Sequence, residues 1–579
     1  MIKITQKQFL IATMIAVFAL GIFLRSYNFA DWLHFELDQS RDAMVIDSAL
    51  DNGPGELPLL GPKAAGTYLR LGPIFYYFQY LGGVIFGQAP EAYAYPTMFF
   101  SILSIPLLYL FLRRIFNSWL SLGLTAVSSV SVFLVMYGRF AWNPNAIPFF
   151  VLLTSYALLR AASKEEKKPA LWLTVCAGAL AVAMQLHFLV FISLPLAVVV
   201  FLSIKRPKIN WKGWLGSVAI FMFIYTPVIL NDIQTSGANT QEFFKAITEK
   251  SSKGESHTLV DKVVRAYMES ARGSFLVLSG QEQMEIPSLN FNKSIVNPVE
   301  IKCSEKCQKN VWLGILAIIV YTAGIVLLVV RFLKEKNTDK KNLLLLVGIW
   351  LTIISGLFVP ISFDLAPRFF LLLIPITFVI FGLILEFLEK RFRCRNFLIL
   401  FVSLLLVILN LVSVQARFSQ LAGAIHGRVD NKSDRILKEN NRVTLEQQLA
   451  MADYMEIFHR ENGAIVYLNS EPFYRRSILY HVGRKGIPYE DLRGAKVYRK
   501  GNYFTAYVTN SSTDKKVSKY LINFDIAEKK SFGTMTVFRL TPKESSIVAE
   551  QQEVKPKKKT TKSRTPGVPE RYTWSEIFN

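Results

Sequence analysis

Cysteine is scarce, four in 579 residues, and no pair has CxxC or zinc-ribbon spacing, which excludes a disulfide scaffold, a structural zinc module and thiol redox chemistry. Charge is scarce as well, at 19% of residues, against about a quarter in soluble globular chains. Acidic residues are the scarcer sign, 43 against 66 Lys and Arg for a net charge of +23. This basic excess is not gathered on polar domains, as nucleic-acid binding requires; much of it lies between long apolar runs, where Lys and Arg meet lipid headgroups. No nucleic-acid partner is expected, and membrane lipids are. What is abundant is apolar: 51% of the chain, with a mean hydropathy of +0.30, which argues against a purely soluble enzyme.

No small-residue cleavage site follows the first apolar run, residues 9–24, so it reads as a retained helix with a cytoplasmic N-terminus. Further runs of membrane length fall at 93–112, 119–137, 146–159, 170–188, 189–204, 214–230, 311–332, 343–361, 369–387 and 397–414, about eleven spans in all. Every second connection is rich in Lys or Arg: Arg113 and Arg114, KEEKK, KRPK, KEKNTDKK and EKRFRCR. Those connections are cytoplasmic by the positive-inside rule. The expected fold is an α-helical polytopic membrane protein with interfacial helices and a C-terminal α/β extracytoplasmic domain. Its parts are a membrane domain over 1–415, with outer loops at 26–91 and 231–310, an α/β domain over 416–543, and a basic, disordered tail over 544–579. The closing RYTWSEIF could dock as a short aromatic helix. Cys303 and Cys307 stand in an outward loop, where they could pair or stay reduced; Cys176 and Cys394 should stay reduced.

The chemistry-bearing residues gather on the outer side. Glu36 and Asp38 follow the first span closely, where reduced dielectric raises a carboxylate toward useful base strength; Asp38 is equally placed to cap the helix that follows. Arg41 and Asp42 join them as substrate-binding candidates. Lys63, Arg70, Arg139 and Arg368 fall at one depth, and several donors at bilayer depth suit a phosphate. Lys63 and Arg70 read as readily as snorkelling anchors, whereas Arg139 and Arg368 lie outside against the positive-inside bias. Trp142 supplies a stacking surface, and Asn143 and Asn145 supply amides, although Asn-Pro-Asn is also a turn signal. Gln185 and His187 end an apolar run, where a lone His is more often a hydrogen-bonded structural group than a ligand.

In order and spacing, ELDQSRDA in the first outer loop, LGPIFYY, RFAWNPN and QLHF resemble the GT-C superfamily of polyprenyl-phosphate-sugar-dependent glycosyltransferases. The nearest likeness is to family 39-like bacterial proteins related to protein O-mannosyltransferases and aminoarabinose transferases, over roughly residues 9–414. The resemblance implies an Asp base in the first outer loop, which by position is Asp38. Many members carry an adjacent Asp-Glu pair there; this chain has Asp38-Gln39 with Glu36 two residues earlier, so Glu36 stays a candidate. It further implies a polyprenyl-phosphate sugar donor whose phosphate is held by Lys63, Arg70, Arg139 and Arg368. A hexosyl or pentosyl group would pass with inversion to a hydroxyl on a glycan, lipid or protein acceptor, at the outer face of the cytoplasmic membrane. No cofactor is expected to be required; some relatives use a divalent cation such as Mg²⁺ or Mn²⁺, and too few carboxylates converge in the sequence to place one. A transporter or flippase for a lipid-linked sugar, or a non-catalytic partner in envelope assembly, would fit the same spans. The near absence of mid-span charge and the one-sided gathering of polar candidates oppose the transporter.

Overall fold

The computed structural model describes residues 5–64, 67–248, 257–282, 284–291, 299–392, 397–428, 443–510, 512–550 and 570–578. In hydrocarbon, peptide groups can bond only to one another, so the long apolar runs fold as helices. α1 (Gln6–Ser26) opens the bundle; α2 (Leu37–Asn52) and α3 (Ile74–Phe86) belong to the first loop. The bundle continues through α4 (Pro90–Leu112), α5 (Ser118–Val130), α6 (Val132–Tyr137), α7 (Ile147–Ala161), α8 (Pro169–Leu186), α9 (Phe188–Lys205) and α10 (Trp211–Gln234). After α11 (Ala238–Thr248) and α12 (Leu259–Ser279), it is completed by α13 (Glu305–Lys334), α14 (Thr338–Phe358), α15 (Ile374–Phe392) and α16 (Phe397–Ala424).

Among the described residues nine helices are long and apolar enough to cross a membrane. Their outward faces stay apolar: Phe397, Leu400, Phe401, Leu404 and Ile408 of α16 are exposed, as a surface surrounded by lipid tails requires. The protein is a multi-pass membrane protein. Two expected spans take another form. Residues 119–137 break at Ser131, whose ψ of 115° interrupts the helix between α5 and α6. The break is tolerated because its polar groups find partners: Val132 N–H donates to Asn410 Oδ1 at 3.0 Å and the Ser131 hydroxyl to Val277 O at 2.7 Å. α7 has only 15 residues and is buried along most of its length.

The expected loop over 231–310 contains the 21-residue α12, amphipathic and packed into the bundle. It approaches the chain after α14 closely, because Gly273 has no side chain: a Cβ there would lie 2.3 Å from the Phe370 ring. Glu269, buried on its inner face, is paired with Arg265 and Arg272. A hairpin of β1 (Ser288–Phe291) and β2 (Val299–Lys302) follows, and Cys303 and Cys307 are joined in a disulfide. Cys394 lies outside the described residues.

The C-terminal domain is α/β, as its alternating apolar runs predict. α17 (Leu445–Asn462) and α18 (Arg475–Arg484) pack with a five-stranded sheet of β3 (Val466–Ser470), β4 (Tyr489–Asp491), β5 (Asn502–Val508), β6 (Phe524–Phe532) and β7 (Met535–Pro542). The order is β4-β3-β5-β7-β6, parallel among the first three and antiparallel beyond. β4 is only three residues long and was not expected from the sequence. The domain sits on the first loop: Gln448 Nε2 donates to Phe35 O at 2.9 Å, Glu446 N–H to Asp31 O at 3.2 Å, and Arg484 Nη1 to Gln88 Oε1 at 2.7 Å.

The expected tail over 544–579 is ordered at both ends. Val548 N–H donates to Val497 O at 2.9 Å, which seats the first residues on the α/β domain. At the far end α20 (Trp574–Phe578), which in helix order follows α19 (Thr513–Ser518) of the α/β domain, docks on the first loop. Residues 551–569, with the Lys-rich stretch, lie outside the described residues.

Asn410 is fully buried, and its amide also donates to Leu278 O at 2.9 Å. Asn410→Ala should therefore strand two backbone groups in an apolar interior, at about 1–3 kcal/mol each. The expected outcome is a lower unfolding temperature of the purified protein in detergent, followed by intrinsic fluorescence.

Candidate active site

α1 ends at the first loop, and its last carbonyls need partners. Arg139, from the turn after α6, supplies them: Nη1 donates to Leu24 O and Arg25 O at 3.0 and 3.1 Å, and Nη2 to Tyr27 O and Asn28 O at 2.7 and 3.3 Å. This anchored exit carries the chain through Trp32 and Leu33, both buried, to the start of α2.

Glu36, in extended backbone, is the N-cap of α2, and its N–H donates to Gln39 Oε1 at 3.2 Å. Asp38 is therefore not the cap. It lies inside the first turn, about half exposed, with its Oδ1 accepting from Arg41 Nη1 at 2.9 Å. Gln39 Nε2 reaches across to Ala141 O at 3.1 Å and ties α2 to the turn RFAWNPN.

Between these elements opens a cleft of about 180 Å³. Glu36 and Asp38 line it from α2, Tyr137 and Trp142 from the end of α6 and its turn, Arg368 from the segment before α15, and Phe473 from the C-terminal domain. The Arg368 guanidinium stands 5.4 Å from the Trp142 ring centre and 4.9 Å from that of Phe369, within cation–π range of both. His34 also faces the cleft, its Nε2 3.8 Å from Glu36 Oε2 and its ring edge-on to Phe140. An ionisable carboxylate, a guanidinium and two aromatic faces thus share one small concave space, an arrangement suited to a sugar ring bearing an anionic group.

Behind the cleft, Arg41 bridges Asp38 and the fully buried Asp42, 2.7 Å away. Asp42 Oδ1 also accepts from Tyr76 OH at 3.2 Å. Burial pushes the Asp42 carboxyl up to about 6, against the pull of the Arg41 charge. Burial also raises Asp47, one turn on, although Tyr93, Tyr480 and Arg484 favour its charged form. Arg70 comes from a loop whose two sides nearly touch: a Cβ on Gly61 would lie 2.3 Å from Gly72 O. Asn239 clamps both amide groups of Arg70, accepting from its N–H at 2.9 Å and donating to its carbonyl at 3.1 Å.

Of the residues singled out in the sequence, the structure brings Glu36, Asp38, Trp142 and Arg368 into the cleft, with Arg41 and Asp42 directly behind Asp38. Arg70 joins the rear of this group. The others lie elsewhere. Arg139 is spent on the carbonyls of α1 and is not in the cleft. Lys63 is exposed, with its ammonium 4.8 Å from the Tyr68 ring. Gln185 is buried against Gly72 and accepts from Ile74 N–H at 3.3 Å. His187 Nδ1 accepts from Leu189 N–H at 3.2 Å and starts α9. Asn143 and Asn145 are buried in a 3₁₀ turn, where Asn145 Nδ2 donates to Phe140 O at 3.0 Å. Sequence reasoning missed His34 and Phe473. His34 was two residues from Glu36 and open to inspection; Phe473 comes from more than 400 positions away, with no local signal. Among the described residues no three His, Cys, Asp or Glu side chains converge as a metal-binding set.

The architecture is similar to two solved structures of ArnT from Cupriavidus metallidurans. In the apo state the identity is 11%, the match covers 92% of this chain and 98% of that one, and the TM-score is 0.52. Bound to undecaprenyl phosphate, the figures are 11%, 92%, 97% and 0.52. Residues 71–230 match the family model described as dolichyl-phosphate-mannose-protein mannosyltransferase. No curated protein matches the chain in sequence. The chain therefore carries the fold of the GT-C membrane glycosyltransferases. The part of the chain that matches that family model runs from the loop bearing Gly72 into α10.

Two outcomes follow from this geometry. Arg139→Gln should lower the unfolding temperature in detergent, because four carbonyls lose a charged donor. Asp42 should be protonated below about pH 6 and ionised above it, so that only above that pH do both carboxylates hold Arg41. Infrared difference spectra should show a carboxylic-acid band vanishing as the pH rises through 6, and Asp42→Asn should lack that step.

Proposed function

We propose that the protein is an inverting glycosyltransferase that moves a sugar from polyprenyl phosphate to a hydroxyl acceptor at the outer face of the cytoplasmic membrane. One observation carries this reading: Asp38, reachable by solvent, faces the same cleft as Arg368 over Trp142.

In the proposed step the Asp38 carboxylate accepts the proton of the acceptor hydroxyl as its oxygen bonds to the anomeric carbon. The bond from that carbon to the donor phosphate oxygen breaks on the opposite face, and polyprenyl phosphate leaves with the electron pair. One base and one displacement invert the configuration, and no enzyme nucleophile is needed. The Arg368 guanidinium answers the charge that grows on the leaving phosphate, an interaction stronger in the transition state than before it. Trp142 offers a face for the sugar. Arg41, held by Asp42, orients Asp38. Asp38 suits the base better than Glu36, whose backbone is committed to the helix cap and whose side chain lies beside His34. The acceptor class stays open among glycan, lipid and protein. No divalent cation is assigned a part in the step, and activity that survives EDTA would agree with that.

The test is transfer of radiolabelled sugar from a panel of polyprenyl-phosphate sugars by the purified full chain in lipid. Asp38→Asn should cut turnover by about 10²–10⁴-fold, the usual worth of a general base, with the unfolding temperature unchanged. Full turnover in that variant would remove Asp38 from the role, and no transfer from any donor despite lipid binding would remove the transferase reading.

A further inference from the structure

The parallel strands of the C-terminal sheet end on the side turned to the first loop, where Arg476, in the first turn of α18, donates from Nη1 to Leu37 O at 3.2 Å. At that end β3 and β5, neighbours in the sheet, part. From β3 the chain enters α18, whose Ile478 and Val482 share a core with Val466, Leu468 and Phe504. From β5 it enters α19, whose Val517 shares the other core with Tyr467, Tyr503 and Tyr507, on the opposite face of the sheet. Neighbouring parallel strands whose chains turn to opposite faces make a topological switch point. Open α/β sheets take their ligands there, outside the carboxyl ends of the strands.

The groups gathered there are polar, paired and aromatic. Glu471 follows β3; its N–H donates to Ala506 O of β5 at 3.1 Å, and its carboxylate pairs with Lys516 of α19 across the gap between the two strand ends. Phe473 stands in the turn that follows, its ring 59% exposed. The turn is nonetheless fixed: Tyr474, next in the chain, is buried, its N–H donates to Glu471 O at 3.0 Å, and its hydroxyl accepts from Val443 N–H at 3.3 Å. Among the residues that line the cleft, Phe473 is the one from the C-terminal domain. An exposed ring held rigid suits the apolar face of a sugar. Other acceptors need features this end of the sheet does not present. A peptide strand adds to an open sheet edge, and β3 and β5 are paired on both sides. An acyl chain needs a continuous apolar surface, and here ion pairs flank the ring, Glu471 with Lys516 and Arg475 with Asp491. Paired groups of this kind offer donors and acceptors together, which is what carbohydrate hydroxyls take up.

We infer that the carboxyl ends of β3 and β5 form an acceptor site, that the acceptor is a carbohydrate, and that Phe473 is the platform on which its reacting ring lies at the cleft. Donor sugar and acceptor ring then meet between two aromatic faces, Trp142 of the membrane domain and Phe473 of the C-terminal domain. The inference rests on the proposed function for calling the bound sugar an acceptor; the binding itself does not depend on it.

The experiment is saturation-transfer NMR on the full chain in nanodiscs with mannotetraose, maltotetraose and chitotetraose, beside a serine- and threonine-rich peptide, with binding of undecaprenyl phosphate measured in parallel. At least one tetrasaccharide should bind. Phe473→Ala should weaken it by about five- to tenfold, the worth of one aromatic contact, with the unfolding temperature and the binding of undecaprenyl phosphate unchanged. Phe473→Trp should retain it, and Lys516→Gln should weaken it. If no tetrasaccharide binds, or if the peptide binds in their place, the carbohydrate assignment is overturned. Sugar binding indifferent to Phe473→Ala removes the platform, and indifference to Lys516→Gln removes the placement at the strand ends. Loss of undecaprenyl phosphate together with the sugar would reduce Phe473 to a structural part of the cleft and overturn its role. None of these readouts needs sugar transfer. Phe473-dependent sugar binding without transfer from any donor would sink the transferase reading and leave the carbohydrate site standing, whereas transfer to the peptide in place of a sugar would do the reverse.

Discussion

Four carbonyl oxygens at the end of α1 and one guanidinium that closes them set the geometry of everything at the site end of the bundle. A helix that finishes near the edge of hydrocarbon cannot leave those groups to chance solvation. Arg139 answers them from the turn after α6, so α1 and α6 are locked at one corner and the chain leaves that corner in a single direction. The course of residues 31–38 follows from this, and with it the entry of Glu36 and Asp38 into the cleft. A lysine would not serve in the same way, because only a planar fork reaches two pairs of carbonyls at once.

The second constraint is charge. Arg41 spans an accessible carboxylate and a buried one, and the two partners act differently on it. Asp42, desolvated, holds its proton more readily than an exposed aspartate; Asp38, half in solvent, faces the cleft. The buried partner positions and the accessible one is available for chemistry, a division set by environment, since the residue type is the same. The aromatic lining of the cleft adds shape, and the Arg368 guanidinium is steadied over Trp142 and Phe369 in the same cleft as Glu36 and Asp38.

Much of this was legible in the sequence. Apolar runs and alternating Lys and Arg gave the bundle, and ELDQSRDA pointed to the carboxylates that reach the cleft. What was not legible has physical reasons. Arg139 and Arg368 look alike in one dimension: both are arginines in short turns at the same depth. They differ in what surrounds them, open carbonyls for one and ring faces for the other, and no local pattern records that. Ser131 interrupts an apolar run that reads as continuous, because the groups that make the break tolerable belong to Asn410 and α12. The amphipathic α12 was hidden in the stretch expected as an outer loop, although Glu269 is enclosed there by two arginines of its own helix. Phe473 joins the cleft only through tertiary docking.

The C-terminal domain is moored to the first loop at several places, among them Arg484 of α18 on Gln88. Its start is fastened to the first loop by Gln448 and Glu446, and the chain beyond its last strand is fastened to the same loop by Trp574 and Ser575. A domain tied to one loop through several separated contacts cannot pivot about any one of them, so the two move together. The wall that Phe473 gives the cleft therefore travels with the carboxylates that α2 brings to it.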